Sequence, residues 1–121
     1  MANKQYDIAI IGGGPAGLMA AGAAASKGAS VIVLEKMNTC GRKLLISGSG
    51  RCNITNTIKD TKTFISALGA NGKFLYQAVN AFKPMDAVTF FNNNGLKTAI
   101  EYGFKIFPAG EAGSADVLRV L

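Results

Sequence analysis

Apolar residues in the first third of the chain fall into two short blocks on either side of a stretch of small residues. Tyr6-Asp7-Ile8-Ala9-Ile10-Ile11 is short, β-branched and mostly apolar, which predicts a buried parallel strand over 6–11. Residues 15–27 read as a helix: Leu18, Met19, Ala20, Ala21, Ala23, Ala24 and Ala25 are mostly good helix formers, and Gly28 is a natural stop. Ala21 and Ala25 continue a small-residue face that would lie against the strands. Val31-Ile32-Val33-Leu34 predicts a second parallel strand over 30–34, joined to the first by a right-handed crossover.

The pattern then changes. Residues 38–57 show little sustained helix or strand period and are rich in Gly, Ser, Asn and cations, as in a long ordered loop that carries function. Residues 62–82 return to helical spacing, in one or two pieces. Pro84 suits the first turn of another helix over about 85–92, ended by Asn94-Gly95. Leu96–Ile100 and Lys105–Phe107 read as two short strands around Glu101-Tyr102-Gly103. Ser114 reads as the N-cap of a last helix, Ala115–Leu121, with Asp116 in its first turn. Phe64, Phe74, Phe82, Phe90 and Phe91 read as core rather than as a stacking platform for bases. There is no internal repeat, low-complexity segment or linker.

Composition narrows the classes. A chain of 121 residues, 49% hydrophobic, can form one ordinary domain. The net charge of +6 fits an anionic ligand, but the lysines are spread along the chain, so neither a nucleic acid nor a membrane is expected as partner. Without histidine, the chain cannot itself supply Ser-His-Asp or Cys-His catalysis or an HExxH zinc site, and no metal is expected. Cys40 and Cys52 lack CxxC and zinc-ligand spacing and read as reduced thiols, hence a cytoplasmic protein. Lys4 precedes an apolar stretch reaching Ala25. Asp7, three glycines and Pro15 interrupt it, so it is neither a signal peptide nor a membrane span. The first strand begins almost at Met1, so no targeting segment is expected ahead of it.

The most informative feature is Gly12-Gly13-Gly14-Pro15-Ala16-Gly17 directly after the first strand, with Glu35 ending the second. Strand, glycine turn, helix, strand and terminal acid form a dinucleotide-binding fingerprint. Gly12 allows the tight turn, Gly14 lets backbone approach a pyrophosphate, and Gly17 lets helix and sheet pack closely. The helix N-terminus offers N–H groups and a positive dipole end. Glu35 would accept hydrogen bonds from an adenosine ribose, and its charge opposes a 2′-phosphate. FAD and NAD both use this unit; a fingerprint near the N-terminus and Glu35-Lys36 before a cationic glycine-rich loop favour FAD.

Gly41-Arg42-Lys43-Leu44-Leu45-Ile46-Ser47-Gly48-Ser49-Gly50-Arg51-Cys52-Asn53-Ile54-Thr55-Asn56 resembles the signature of the HI0933-like flavoproteins, also called BaiN-like or YhiN-like. A second block is similar too: Phe90-Phe91 through Gly95-Leu96, Glu101, and Phe107-Pro108 to Asp116-Val117-Leu118. The resemblance covers nearly the whole chain. It implies an α/β fold: a Rossmann-like FAD/NAD(P)-binding domain of the glutathione-reductase type, interrupted by a substrate domain. Carried over by motif, the FAD neighbours are Gly12, Gly14, Pro15, Ala16, Gly17, Glu35, Lys36, Gly41, Arg42, Lys43, Ser49, Gly50, Arg51, Cys52 and Asn53. The Gly41-Arg42-Lys43 loop would face the adenosine and phosphates, and the Ser47–Asn53 segment the flavin ring. Phe104-Lys105-Ile106 stands where many relatives read Gly-Arg-Val, and Ala112 where a cation is common.

Family members are several times longer. The expectation is therefore an incomplete N-terminal portion: a βαβ unit at 6–35, an FAD loop at 38–57, and a helical segment with a short hairpin at 62–121. The late FAD segment and the substrate domain would be absent. Uncovered sheet edges and helix faces follow, and through them self-association. The implied activity is hydride transfer between a small organic substrate and FAD, with NAD(P)H or dioxygen as redox partner. The alternatives are a catalytically silent nucleotide-binding fragment and an NAD-binding dehydrogenase domain. Cys52 reads as a packing or flavin-neighbour residue, Asp86 and Glu101 as ordinary acids, and no catalytic group is assigned.

Overall fold

The computed structural model describes residues 4–121. Strand β1 (Ile8–Ile11), helix α1 (Pro15–Ala25) and strand β2 (Val31–Leu34) form the anticipated unit. The strands pair in parallel, from Ile8 opposite Val31 to Ile11 opposite Leu34. Pro15 occupies the first turn of α1, where its missing N–H costs nothing. Gly28, at φ +88°, turns the chain toward β2, and its N–H is accepted by the Ala25 carbonyl oxygen.

The expected loop at 38–57 is more ordered than its period indicated. It contains helix α2 (Arg42–Leu45), an irregular turn over Ser47–Gly50 in which Gly48 and Ser49 are left-handed, and strand β3 (Thr55–Asn56). Four-residue pieces are too short to show a hydrophobic period, so pattern alone does not reveal them. The 62–82 segment resolves into α3 (Thr61–Ala67), a 3₁₀ turn over Gly72–Leu75 and α4 (Tyr76–Ala81). Asp60 caps α3 by accepting from the Thr63 N–H at 2.7 Å. Helix α5 (Pro84–Asn93) precedes β4 (Thr98–Glu101) and β5 (Lys105–Pro108), and α6 (Ser114–Val120) follows. The second sheet is antiparallel in the order β3-β5-β4.

Four expectations are corrected. Gly113, not Ser114, caps α6: Asp116 accepts from the Gly113 N–H at 2.9 Å, which frees the Ser114 hydroxyl to donate to the Leu45 carbonyl oxygen at 2.8 Å. Strand β1 is not buried. Its parallel pairing is covered by α1 on one face, and Ile11 remains 79% exposed. Of the five phenylalanines, Phe91 enters the core, Phe64 and Phe90 are half-buried, and Phe74 and Phe82 are 90% and 46% exposed. Ala25 likewise faces out rather than onto the strands.

The core lies between α2, the Cys52 turn, α5 and α6, where Leu44, Cys52, Phe91, Leu96 and Val117 meet. It therefore sits behind the 41–53 segment and holds it in place. Among the described residues, no helix is long and apolar enough to cross a membrane.

Candidate functional site

The glycine turn and the acid at the end of β2 meet. The Gly13 N–H donates to one oxygen of the Glu35 carboxylate at 2.7 Å, and the Met37 N–H donates to the other at 2.8 Å. These two bonds, the Met37 one first, hold the carboxyl below its usual range, with the Arg42 charge as a smaller contribution. Each oxygen keeps lone-pair capacity for a further donor.

Three glycines of the turn have their own reasons. Gly12 adopts φ +97°, which residues with a Cβ avoid, and its N–H donates to the Leu34 carbonyl oxygen at 2.8 Å. At Gly17 a Cβ would run into the Gly12 carbonyl oxygen and reach 3.2 Å from its carbon, so only hydrogen fits where α1 crosses the turn. Gly14 starts α1 in extended geometry, and a Cβ there would meet nothing within 4 Å. That open space lies at the helix N-terminus, where backbone can approach a ligand.

A cavity of about 270 Å³ joins Gly13, Gly14, Pro15, Glu35, Arg42 and Lys43. The Gly41 N–H donates to the Gly13 carbonyl oxygen at 2.8 Å, and Gly41 stands at φ +69° against Leu118. That bond brings α2, with Arg42 and Lys43 exposed in its first turn, over the glycine turn. The cavity thus brings together a carboxylate, the backbone at a helix N-terminus and two cations. A ribose joined to a pyrophosphate carries the complementary groups.

A second cavity of about 390 Å³ shares Pro15 and Lys43 with the first and is mainly apolar. Cys52, Asn53, Leu44, Phe90 and Val117 are among its lining residues. Cys52 is buried, as a free thiol. With its amide nitrogen facing the two carbonyls, Asn53 donates to the Thr55 and Ile106 oxygens, at 2.8 and 3.2 Å.

Not every motif residue reaches a cavity. Gly12, Ala16, Gly17, Lys36, Ser49, Gly50 and Arg51 line neither. Arg51 instead makes a two-pronged pair with Glu101, both bonds 2.7 Å, and lies over the Phe107 ring at 5.3 Å. The hydrogen-bonded pair raises the Arg51 pKa and lowers that of Glu101. Sequence reasoning passed over Gly13, the donor to Glu35, whose place in a triple-glycine run was the available signal. It also passed over Met37 and Thr39 in the first cavity, and Met19, Leu44 and Ile54 in the second, whereas Ser47, which opens the segment expected to face the flavin, does line the second.

The model of the HI0933-like protein Rossmann domain matches residues 6–121, and the chain belongs to that family. It is 38% identical over 116 residues to the 3-dehydro-bile acid delta(4,6)-reductase of Clostridium scindens, across 94% of this chain and 27% of that protein. It is 32% identical over 93 residues to the ribosomal RNA dihydrouridine synthase of Escherichia coli, across 77% of this chain and 22% of that protein. A 27% identity over 95 residues links it to the 3-oxosteroid 1-dehydrogenase of Mycolicibacterium smegmatis, across 78% of this chain and 17% of that protein. The chain thus spans about a quarter or less of the length of these relatives.

Proposed function

We propose that this chain is the N-terminal FAD-binding portion of a flavoprotein oxidoreductase that moves a hydride between a small organic substrate and the flavin. The observation that carries the reading is the Gly13–Glu35 hydrogen bond, which places an acceptor-rich carboxylate and a donor-rich helix N-terminus in one cavity. Glu35 would take the ribose hydroxyls. The Gly12–Gly17 turn and the α1 N-terminus would take the pyrophosphate, with Arg42 and Lys43 offsetting its charge. Pro15 and Lys43 link this cavity to the apolar one, which suits the less polar half of FAD. When bound, the isoalloxazine supplies hydride acceptance and donation, chemistry no side chain here can perform. The chain's own task is to bind, orient and shield.

The relatives' names guide the substrate. A delta(4,6)-reductase and a dihydrouridine synthase both add hydrogen across a carbon–carbon double bond, so we infer that reaction class here, on a small organic molecule. NAD(P)H or dioxygen would complete the cycle. The cytoplasm is the compartment that fits two free thiols.

The protein carrying this chain should be yellow, with a flavin band at about 450 nm and FAD released on denaturation. A colourless protein that takes up no FAD refutes the reading. Titrating the 121-residue chain with FAD and NADH separates the alternatives. Tighter binding of NADH identifies a nicotinamide domain, and binding of ADP without flavin identifies a silent module. Comparing a conjugated bile-acid ketone with a uridine-containing RNA as hydride acceptor tests the small-molecule assignment, which preference for the RNA would overturn.

A further inference from the structure

We infer that Glu101 is a positioning residue, one that captures Arg51 and so fixes the shape of the Ser47–Asn53 turn. This rests on the flavin reading above insofar as the turn forms a wall of the apolar cavity. The turn has an unusual backbone. Gly48, Ser49, Gly50 and Cys52 stand at φ +56°, +55°, +85° and +62°. Ser49 and Cys52 carry a Cβ and are disfavoured there, so the surrounding structure must impose the conformation.

Two backbone bonds hold the ends: the Cys52 N–H donates to the Ser47 carbonyl oxygen at 3.0 Å, and the Ile54 N–H to that of Ile106 at 2.8 Å. The middle is tied to the β4–β5 hairpin by the Arg51 side chain. Its two terminal nitrogens each donate to a different Glu101 oxygen at 2.7 Å. One of them also reaches the Pro108 carbonyl oxygen at 3.4 Å, and the guanidinium rests on Phe107. Planar fork-to-fork pairing fixes orientation as well as distance. A residue 50 positions away thus sets where Cys52 and Asn53 face the cavity. Arg51 is thereby committed to the hairpin, and Arg42 and Lys43 remain as the cations of the nucleotide cavity.

The consequence is selective. Glu101→Gln should loosen the flavin-side wall and leave the ADP cavity intact, because neither Arg51 nor Glu101 lines that cavity. In the full protein, E101Q should lower FAD affinity about tenfold, leave ADP affinity unchanged, and speed amide exchange at residues 49–53. R51E and E101R should each behave like E101Q, and the double charge reversal should recover part of the loss. Equal FAD affinity with unchanged exchange in E101Q overturns the inference, as does a parallel fall in FAD and ADP affinity. A wild-type protein that binds ADP but no FAD refutes the flavin reading instead. The exchange of residues 49–53 then still decides whether Glu101 holds the turn.

Discussion

Gly17→Ala puts the helix–turn contact to a direct test. A Cβ at this position would come closer to the Gly12 carbonyl oxygen than the 3.0 Å that real Cβ atoms keep. It would also stand 3.2 Å from the Gly12 carbon and 3.4 Å from a methyl group of Ile10. The obstruction is backbone, which cannot rotate aside, so α1 must move off the sheet. Overpacking of this kind costs about 3 kcal/mol, and alanine's better helix propensity returns about 1 kcal/mol, for a net loss of about 2 kcal/mol. At about 4 °C per kcal/mol for a domain of this size, the Tm should fall by about 8 °C. Gly22→Ala is the internal control. It is the same substitution in the same helix, but a Cβ there meets nothing within 4 Å. It should raise stability by about 1 kcal/mol. Thermal unfolding followed by circular dichroism reads both, and calorimetric titration with ADP should show G17A at least tenfold weaker, because the helix N-terminus has shifted. If the two variants move the Tm in the same direction, or if G17A binds ADP like wild type, the close packing of α1 on the turn is not what the glycine serves.

Gly14→Ala should leave Tm within about 1 °C, since the space around it is open, yet weaken ADP binding if that space belongs to the ligand; unchanged affinity would contradict it. Glu35→Gln should weaken ADP binding without unfolding the protein. Because the folded Glu35 carboxyl titrates below its ordinary 4.5, its stabilising contribution is complete above about pH 4.5 and is lost as pH falls through the lower folded value. An acid titration of Tm should therefore be shallower in the glutamine variant. Val117, 2% exposed, should cost about 2 kcal/mol on truncation to alanine, measured as a lower urea midpoint with unchanged slope. Ser114→Ala strands the Leu45 carbonyl oxygen and should cost about 1 kcal/mol by the same assay.

The βαβ unit was legible in the chain because its cues are local. β-branched runs, an alanine-rich helix and glycine spacing act over distances of a few residues, and the observed β1, α1 and β2 end within three residues of their expected bounds. Glu35 was legible for the same reason, as the residue that ends a strand. The short pieces inside 38–57 were not, because no period fits in four residues. Nor were the exposures of Phe74, Phe82 and Ile11, since an apolar residue does not say what covers it.

Arg51 shows where local pattern runs out. Its neighbours Gly50 and Cys52 mark a cationic glycine-rich loop, and such a loop reads as ligand contact. Its partner lies at Glu101, brought near because β5 pairs with both β3 and β4 and carries the hairpin back over the turn. The glycine fingerprint, the strand-end acid and the crossover were carried by residue types and spacing alone. That Arg42 and Lys43 line the cavity beside the glycine turn while Arg51 pairs with Glu101 was decided by the folded chain, because charge pairing depends on distance in space and not along the sequence.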